Sequence, residues 1–257
     1  MNNSLLRPGT NRTYNSLRAR WITGCTHKTM DEAYLNKMAH WWLYNVGLAP
    51  RTVKILLRLL CEEGKKYGLL LDSSSVTRQV MKNVQDKPVK ALTKDQSTAL
   101  LDGCWGTKLY IPVLLSLHTG MRRGEVWGLS WDDIDWNKNR ILVSGSYEGP
   151  TKSGKVRYVP MSGLLERTLR LQHGLIKTSH IVKDKFDPNP LLKVICKKSN
   201  IPIVNFHALR HTFATLALEA GTSPKKVQEV LGHSALSTTL NIYWSSTQEK
   251  MDLEFLK

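Results

Sequence analysis

The feature that most constrains this fold is the stretch QDKPVKAL at residues 85–92, which is polar, carries a proline and has no periodicity. It separates two regions of strong apolar patterning. A segment of this kind continues neither helix nor strand, so the chain is expected to form two domains joined by a linker at 86–92. Residues 31–85 read as helical. DEAYLNKMAHWWLYNV repeats its apolar residues at spacings of three and four until Gly47 stops it. TVKILLRLLCEEGKKYG is a second amphipathic helix, ended by Gly64 or Gly68. SSSVTRQVMKNV offers serines as an N-cap and then a third, short helix.

Residues 93–257 read as a mixed domain. TKDQSTALLDGC starts a helix with Thr93 as N-cap, Tyr110–His118 is a buried helix stopped by Gly120, and MRRGEVWGL is another short helix. WDDIDWNKN reads as a turn. RILVSG and VRYVP are β-type runs, and the Gly, Pro and Ser of SYEGPTKSGK between them suit a hairpin tip. Beyond Met161 the pattern is helical: SGLLERTLRLQHG, NPLLKVICKKSN, HALRHTFATLALEAG, then SPKKVQEVLG with Ser223 as N-cap, Pro224 at the first position and Gly232 as stop. A last helix carries STTLNIYW. The fold class expected is mostly α with a small antiparallel β-sheet.

Charge narrows the partners. Thirty-seven Lys and Arg against 21 Asp and Glu give a net charge of +16, which favours polyanions without choosing among them. The segment 1–30 holds Arg7, Arg12, Arg18, Arg20 and Lys28 with no acidic residue and reads as a basic N-terminal arm. Arg51, Lys54, Arg58, Lys65 and Lys66 gather on and around the second helix as a candidate DNA-facing surface. No apolar run reaches the roughly 18–20 residues a membrane span needs, and no apolar signal region opens the chain, so no membrane partner is expected. Cys25, Cys61, Cys104 and Cys196 form no CxxC pair, which argues against a zinc site and fits free thiols in a cytoplasmic setting.

The chemistry concentrates at the C-terminal end. HALRH at 207–211, LGHS at 231–234 and TTLNIYW at 238–244 place His207, Arg210 and His233 ahead of Tyr243. Attack on a phosphodiester without a metal needs forked cationic donors for the non-bridging oxygens, a nucleophile, a base, and an acid for the leaving 5′-oxygen. Arg122, at a turn opening a helix, and Arg210 can supply the forks. His207 and His233 can handle protons, Lys152 at the hairpin tip can reach a leaving group, and Tyr243 can attack. Lys155 lies three residues from Lys152 on the same loop and competes for its role. Singly, each is a common surface or packing residue, and their order and contexts carry the reading.

TGMRRGEVWGLSWDDID resembles the first arginine motif of the tyrosine recombinases (lambda-type integrases and their Xer-type relatives), and HALRHTFAT with LGHSALSTTLNIY resembles the second. The resemblance implies an N-terminal helical SAM-like core-binding domain at 31–85 and an α+β catalytic domain at 93–257, forming a C-shaped clamp on duplex DNA. It implies Arg122 and Arg210 as the phosphate clamp, Lys152 as general acid, His207 as base or proton acceptor, His233 as donor to a non-bridging oxygen, Tyr243 as nucleophile and Glu125 as support. Arg123 and Lys155 would contact the DNA backbone. The activity implied is site-specific recombination through a covalent 3′-phosphotyrosine, with no cofactor, metal or ATP, by a homotetramer on double-stranded DNA that accessory DNA-bending proteins could assist. Integration of a phage or other mobile element is the first reading. A Xer-like resolvase, a type IB topoisomerase and a helix-turn-helix regulator are the alternatives.

Overall fold

The computed structural model describes residues 15–17, 19, 30–80, 91–147, 149–150, 156–175, 178–233, 236, 237 and 239. The chain divides into two compact units, Met1–Pro88 and Val89–Lys257.

In the first unit, α1 (Glu32–His40) is N-capped by Asp31, whose side chain accepts from the Tyr34 N–H at 2.7 Å. It loosens into a π-turn at Trp41–Asn45, so the single helix expected there is instead two kinds of turn, before Gly47 (φ 72°) ends it. α2 (Pro50–Lys65) starts on a proline at its first turn, where no N–H is needed. It buries Val53, Leu56, Leu57 and Leu60 along one face and turns Arg51, Lys54 and Arg58 to solvent. Gly64 lies inside this helix, and Gly68 (φ 78°) makes the turn after it. α3 (Ser73–Val80) closes the core with Val76.

In the second unit, α4 (Lys94–Cys104) opens on a reciprocal capping box between Thr93 and Gln96. α5 (Tyr110–Thr119) is buried over most of its length. A short α6 (Arg123–Gly128) follows. The sheet has the order β1-β2-β5, all antiparallel: β1 (Ile134–Asp135), β2 (Arg140–Val143) and β5 (Arg157–Pro160). Ile134 pairs with Ile141, and Ile141 with Val159, so one sheet face is apolar. That pairing corrects the reading of WDDIDWNKN as a turn: Trp131–Asp133 is a 3-10 turn, but Ile134–Asp135 is an edge strand because Ile134 finds an apolar neighbour on β2. Between β2 and β5, β3 (Gly145–Ser146) and β4 (Gly149–Pro150) form a two-residue ladder.

Among the described residues four further helices follow: α7 (Gly163–Leu175), α8 (Asn189–Lys198), α9 (Phe206–Glu219) and α10 (Pro224–Leu231). α9 is capped by Asn205, whose side chain accepts from Ala208. It packs along α5, and the Leu92 N–H donates to its Thr212 hydroxyl at 3.0 Å, which anchors the start of the unit. α10 is capped by Ser223, begins on Pro224 and stops at Gly232 (φ 66°). Among the described residues, Cys61, Cys104 and Cys196 are free and buried.

Candidate active site

The site grows from three helix ends. α5 stops on Gly120 in the left-handed conformation (φ 65°). A Cβ there would fall 2.5 Å from both Leu231 and Phe213, so the turn needs glycine for its backbone and for its packing. Two residues on, Arg122 is the extended N-cap of α6. An arginine has no acceptor with which to cap a helix; the capping comes from Glu125, whose Oε2 accepts from the Arg122 N–H at 2.8 Å.

Glu125 is 2% exposed and stands at the hub of the site. Its Oε1 accepts from Arg122 Nη1 at 2.9 Å, and the fork of Arg157 donates to Oε1 and Oε2 at 3.1 and 2.7 Å. Burial pushes this carboxyl up, but the hydrogen bonds and charge of Arg157, then those of Arg122, outweigh it and hold it below its ordinary value. It is ionised at neutral pH.

The third helix end ties the arginines together. The C-terminus of α10 leaves backbone carbonyls without helical partners, at the negative end of the helix dipole. Three successive carbonyls each accept from a different arginine. Arg157 Nε donates to Val230 O at 2.6 Å, Arg210 Nη2 to Leu231 O at 2.8 Å, and Arg122 Nη2 to Gly232 O at 3.3 Å. Arg210 also donates through Nη1 to Gly120 O at 2.8 Å, so one guanidinium joins the ends of α5 and α10.

Arg210 is 4% exposed. Burial, then the neighbouring charge of Arg122, brings it down to about 9, with Glu125 opposing, so it stays protonated at neutral pH. Three guanidinium groups against one carboxylate leave a positive cluster suited to an anion.

His233 follows Gly232 directly. Its N–H donates to Gln228 O at 3.2 Å and its carbonyl accepts from Gln228 Nε2 at 3.2 Å. Its Nδ1 lies 2.9 Å from the hydroxyl of fully buried Thr239. Burial, then Arg210 and Arg122, pulls this imidazole down to about 4, so it is neutral at pH 7 with one ring nitrogen committed to Thr239. His207 is exposed on the first turn of α9, whereas Arg210 on the same helix is buried, and its ring meets that of His211 edge-on at 5.0 Å. His211 is half-buried, and burial and Arg210 lower its pKa.

Arg122, Glu125, Arg210 and His233 are therefore brought together, and His207 sits on the helix that carries Arg210. Arg123 points elsewhere, to Asp187 at 3.5 Å. Lys152, Lys155 and Tyr243 lie outside the described residues. Sequence reasoning missed Arg157 and Thr239. Arg157 had a signal, since it alternates with the buried Val159 on one face of β5; Thr239 had none. Among the described residues, no three His, Cys, Asp or Glu side chains gather as metal ligands.

Comparison with known proteins gives the family and the fold. The phage integrase family matches over residues 90–250. The tyrosine recombinase XerA of Thermococcus kodakarensis is 34% identical over 231 residues, 84% of this chain and 78% of that protein. The transposase of transposon Tn916 from Enterococcus faecalis is 29% identical over 212 residues, 69% of this chain and 50% of that protein. The chain spans between 50% and 78% of the length of eight curated relatives that it matches. The solved Tn1549 transposon integrase in complex with a circular intermediate DNA shares the fold at a TM-score of 0.75 and 21% identity, over 97% of this chain and 95% of that one. The chain belongs to the phage integrase family, that of the tyrosine recombinases it resembles.

Proposed function

We propose that this chain binds double-stranded DNA at specific sites, then cleaves and rejoins its strands through a 3′-phosphotyrosine on Tyr243. The observation that carries the reading is the convergence of Arg122, Arg210 and His233 on the end of one helix, held by carbonyls and by one ionised glutamate. Their fixed donors suit the non-bridging oxygens of a scissile phosphate, where charge grows in the transition state. Neutral His233, engaged with Thr239 through Nδ1, keeps Nε2 for such an oxygen. Tyr243 stands in the LGHSALSTTLNIY motif shortly after His233, which supports its assignment as the attacking group.

In this reading Lys152 protonates the leaving 5′-oxygen, with Lys155 as its rival. His207 takes part in proton transfer, and Glu125 keeps Arg122 in place. The first unit acts as the core-binding domain, and Arg51, Lys54 and Arg58 on the outer face of α2 meet the DNA backbone. Arg123 is a further backbone contact. The working species on DNA is a homotetramer, and the biological role is mobile-element integration or excision, with Xer-like resolution as the second reading. The energy of the broken bond is kept in the phosphotyrosine, so ATP has no part.

The test is adduct formation on DNA carrying the native site. The wild-type chain leaves DNA covalently bound after denaturation, and Tyr243→Phe binds the same DNA without adduct. An adduct that persists in Tyr243→Phe shows that another residue attacks.

A further inference from the structure

The second unit carries a pocket that the cleavage chemistry does not use. α6 bears Arg122 at its N-cap, and on its next turns Arg123 and Trp127 line a cavity of about 170 Å³ together with Tyr147, Lys185 and Phe186. The cavity has room for one flat heterocycle and not for a base pair.

Its parts are fixed by the fold. Trp127 is 3% exposed, donates its indole N–H to Asp184 O at 2.9 Å, and meets Phe186 and Phe206 edge-on. Tyr147 is held by its N–H donating to Gly124 O at 3.0 Å. Gly128 allows this approach, because a Cβ there would lie 2.7 Å from the Ser146–Tyr147 backbone. Cations edge the aromatic groups: Lys185 lies over the Tyr147 ring at 5.0 Å, Lys108 over Phe186 at 4.2 Å, and Arg123 stands beside Asp187.

Aromatic faces with lysine and arginine beside them are the combination by which proteins hold unstacked nucleobases. We infer that this pocket receives a single unstacked base of the DNA, its ring against Tyr147 and Phe186 and its flanking phosphates on Lys185, Lys108 and Arg123. The rings of Tyr147 and Phe186 are half-buried, and a lysine resting on the open part of such a ring is a weaker partner than a stacked base. Lys185 and Lys108 can therefore move from ring to phosphate as the base enters. This inference rests on the reading of the chain as a DNA-binding protein.

The test uses the whole chain and fluorescence anisotropy on three short duplexes of one sequence: fully paired, with one bulged thymidine, and with a bulged abasic nucleotide. The bulged thymidine should bind roughly tenfold more tightly than the abasic bulge. Tyr147→Ala should abolish that difference and leave affinity for the paired duplex unchanged. Phe186→Leu, which keeps an apolar wall without a π-face, should do the same if Tyr147→Ala fails to fold. Equal affinity for base and abasic bulges, or a preference that survives both substitutions, overturns the pocket alone. Failure to bind any of the three duplexes overturns the DNA reading and the pocket with it.

Discussion

Arg157 and Glu125 share two hydrogen bonds, 3.1 and 2.7 Å long, with side chains 8% and 2% exposed. This pair links β5 to α6, and through Arg157 Nε it reaches the end of α10. Removing one partner of a buried ion pair strands the other charge, at a cost of about 3–5 kcal/mol. Glu125 keeps Arg122 as a partner, so Arg157→Met should cost the lower end of that range, about 3 kcal/mol, in urea unfolding. The double change Arg157→Met, Glu125→Leu should regain none of it, because Arg122 and buried Arg210 then lose their one carboxylate. A double variant restored to wild-type stability would show that Glu125 does not support the two remaining arginines.

Arg210→Lys tests geometry at constant charge. A lysine ammonium cannot span Gly120 O and Leu231 O while also presenting a fork to phosphate. Adduct formation should fall by roughly a hundredfold or more, the loss expected for one fixed donor to a developing oxyanion. Affinity for DNA, measured by gel shift, should change far less. A full rate in this variant would remove Arg210 from the clamp.

The buried histidines predict acid sensitivity. His233 falls from 6.5 to about 4 on folding, and burial lowers His118 and His211 as well. Below pH 6.5 the unfolded chain takes up protons that the folded chain refuses, so stability is full above 6.5 and declines as pH drops toward 4. Glu125 adds loss of the same sign. Its depressed carboxyl stabilises fully above 4.5, and that contribution disappears as pH falls through its lower folded value. Denaturation midpoints should fall steadily between pH 7 and pH 5, and imidazole NMR should find His233 still neutral at the lower end. A midpoint independent of pH over that range would contradict the burial of these rings.

Gly120 and Gly221 form a matched pair for backbone strain. Both have positive φ, 65° and 85°, but only at Gly120 does a Cβ collide, 2.5 Å from Leu231 and Phe213. Gly221→Ala should cost about 1–2 kcal/mol for the left-handed backbone alone. Gly120→Ala adds overpacking of about 1–3 kcal/mol, and calorimetry should rank the two melting temperatures in that order. Reversal of the order would mean that the neighbours of Gly120 give way freely.

Lys152→Ala should cleave slowly on ordinary DNA and recover on a substrate whose 5′-bridging oxygen is sulfur, since a thiolate leaves without a proton. Rescue in Lys155→Ala instead would transfer the acid role to Lys155.

The helices were legible because local rules and tertiary packing agree in them. Ser223, Pro224 and Gly232 mark α10 in the sequence as clearly as in three dimensions, and Thr93 caps α4 as its sequence implies. β1 was hidden because two residues carry no period, and its strand character comes from Ile141 across the ladder. Arg122, Glu125, Arg210 and His233 were legible as motif positions, but what holds them was not. Their partners are backbone carbonyls, which leave no mark on residue type, and Arg157, drawn from a distant strand. Thr239 reads as an ordinary helix residue until His233 is seen beside it.

The three arginines that meet successive peptide oxygens at Val230, Leu231 and Gly232 come from segments spread over nearly ninety positions of sequence. Such a centre cannot be exchanged piecemeal. A chimaera with a homologue, spliced anywhere between Arg122 and Gly232, joins parts that never adjusted to one another, whereas a graft taken whole from Gly120 through Thr239 carries its own scaffolding with it.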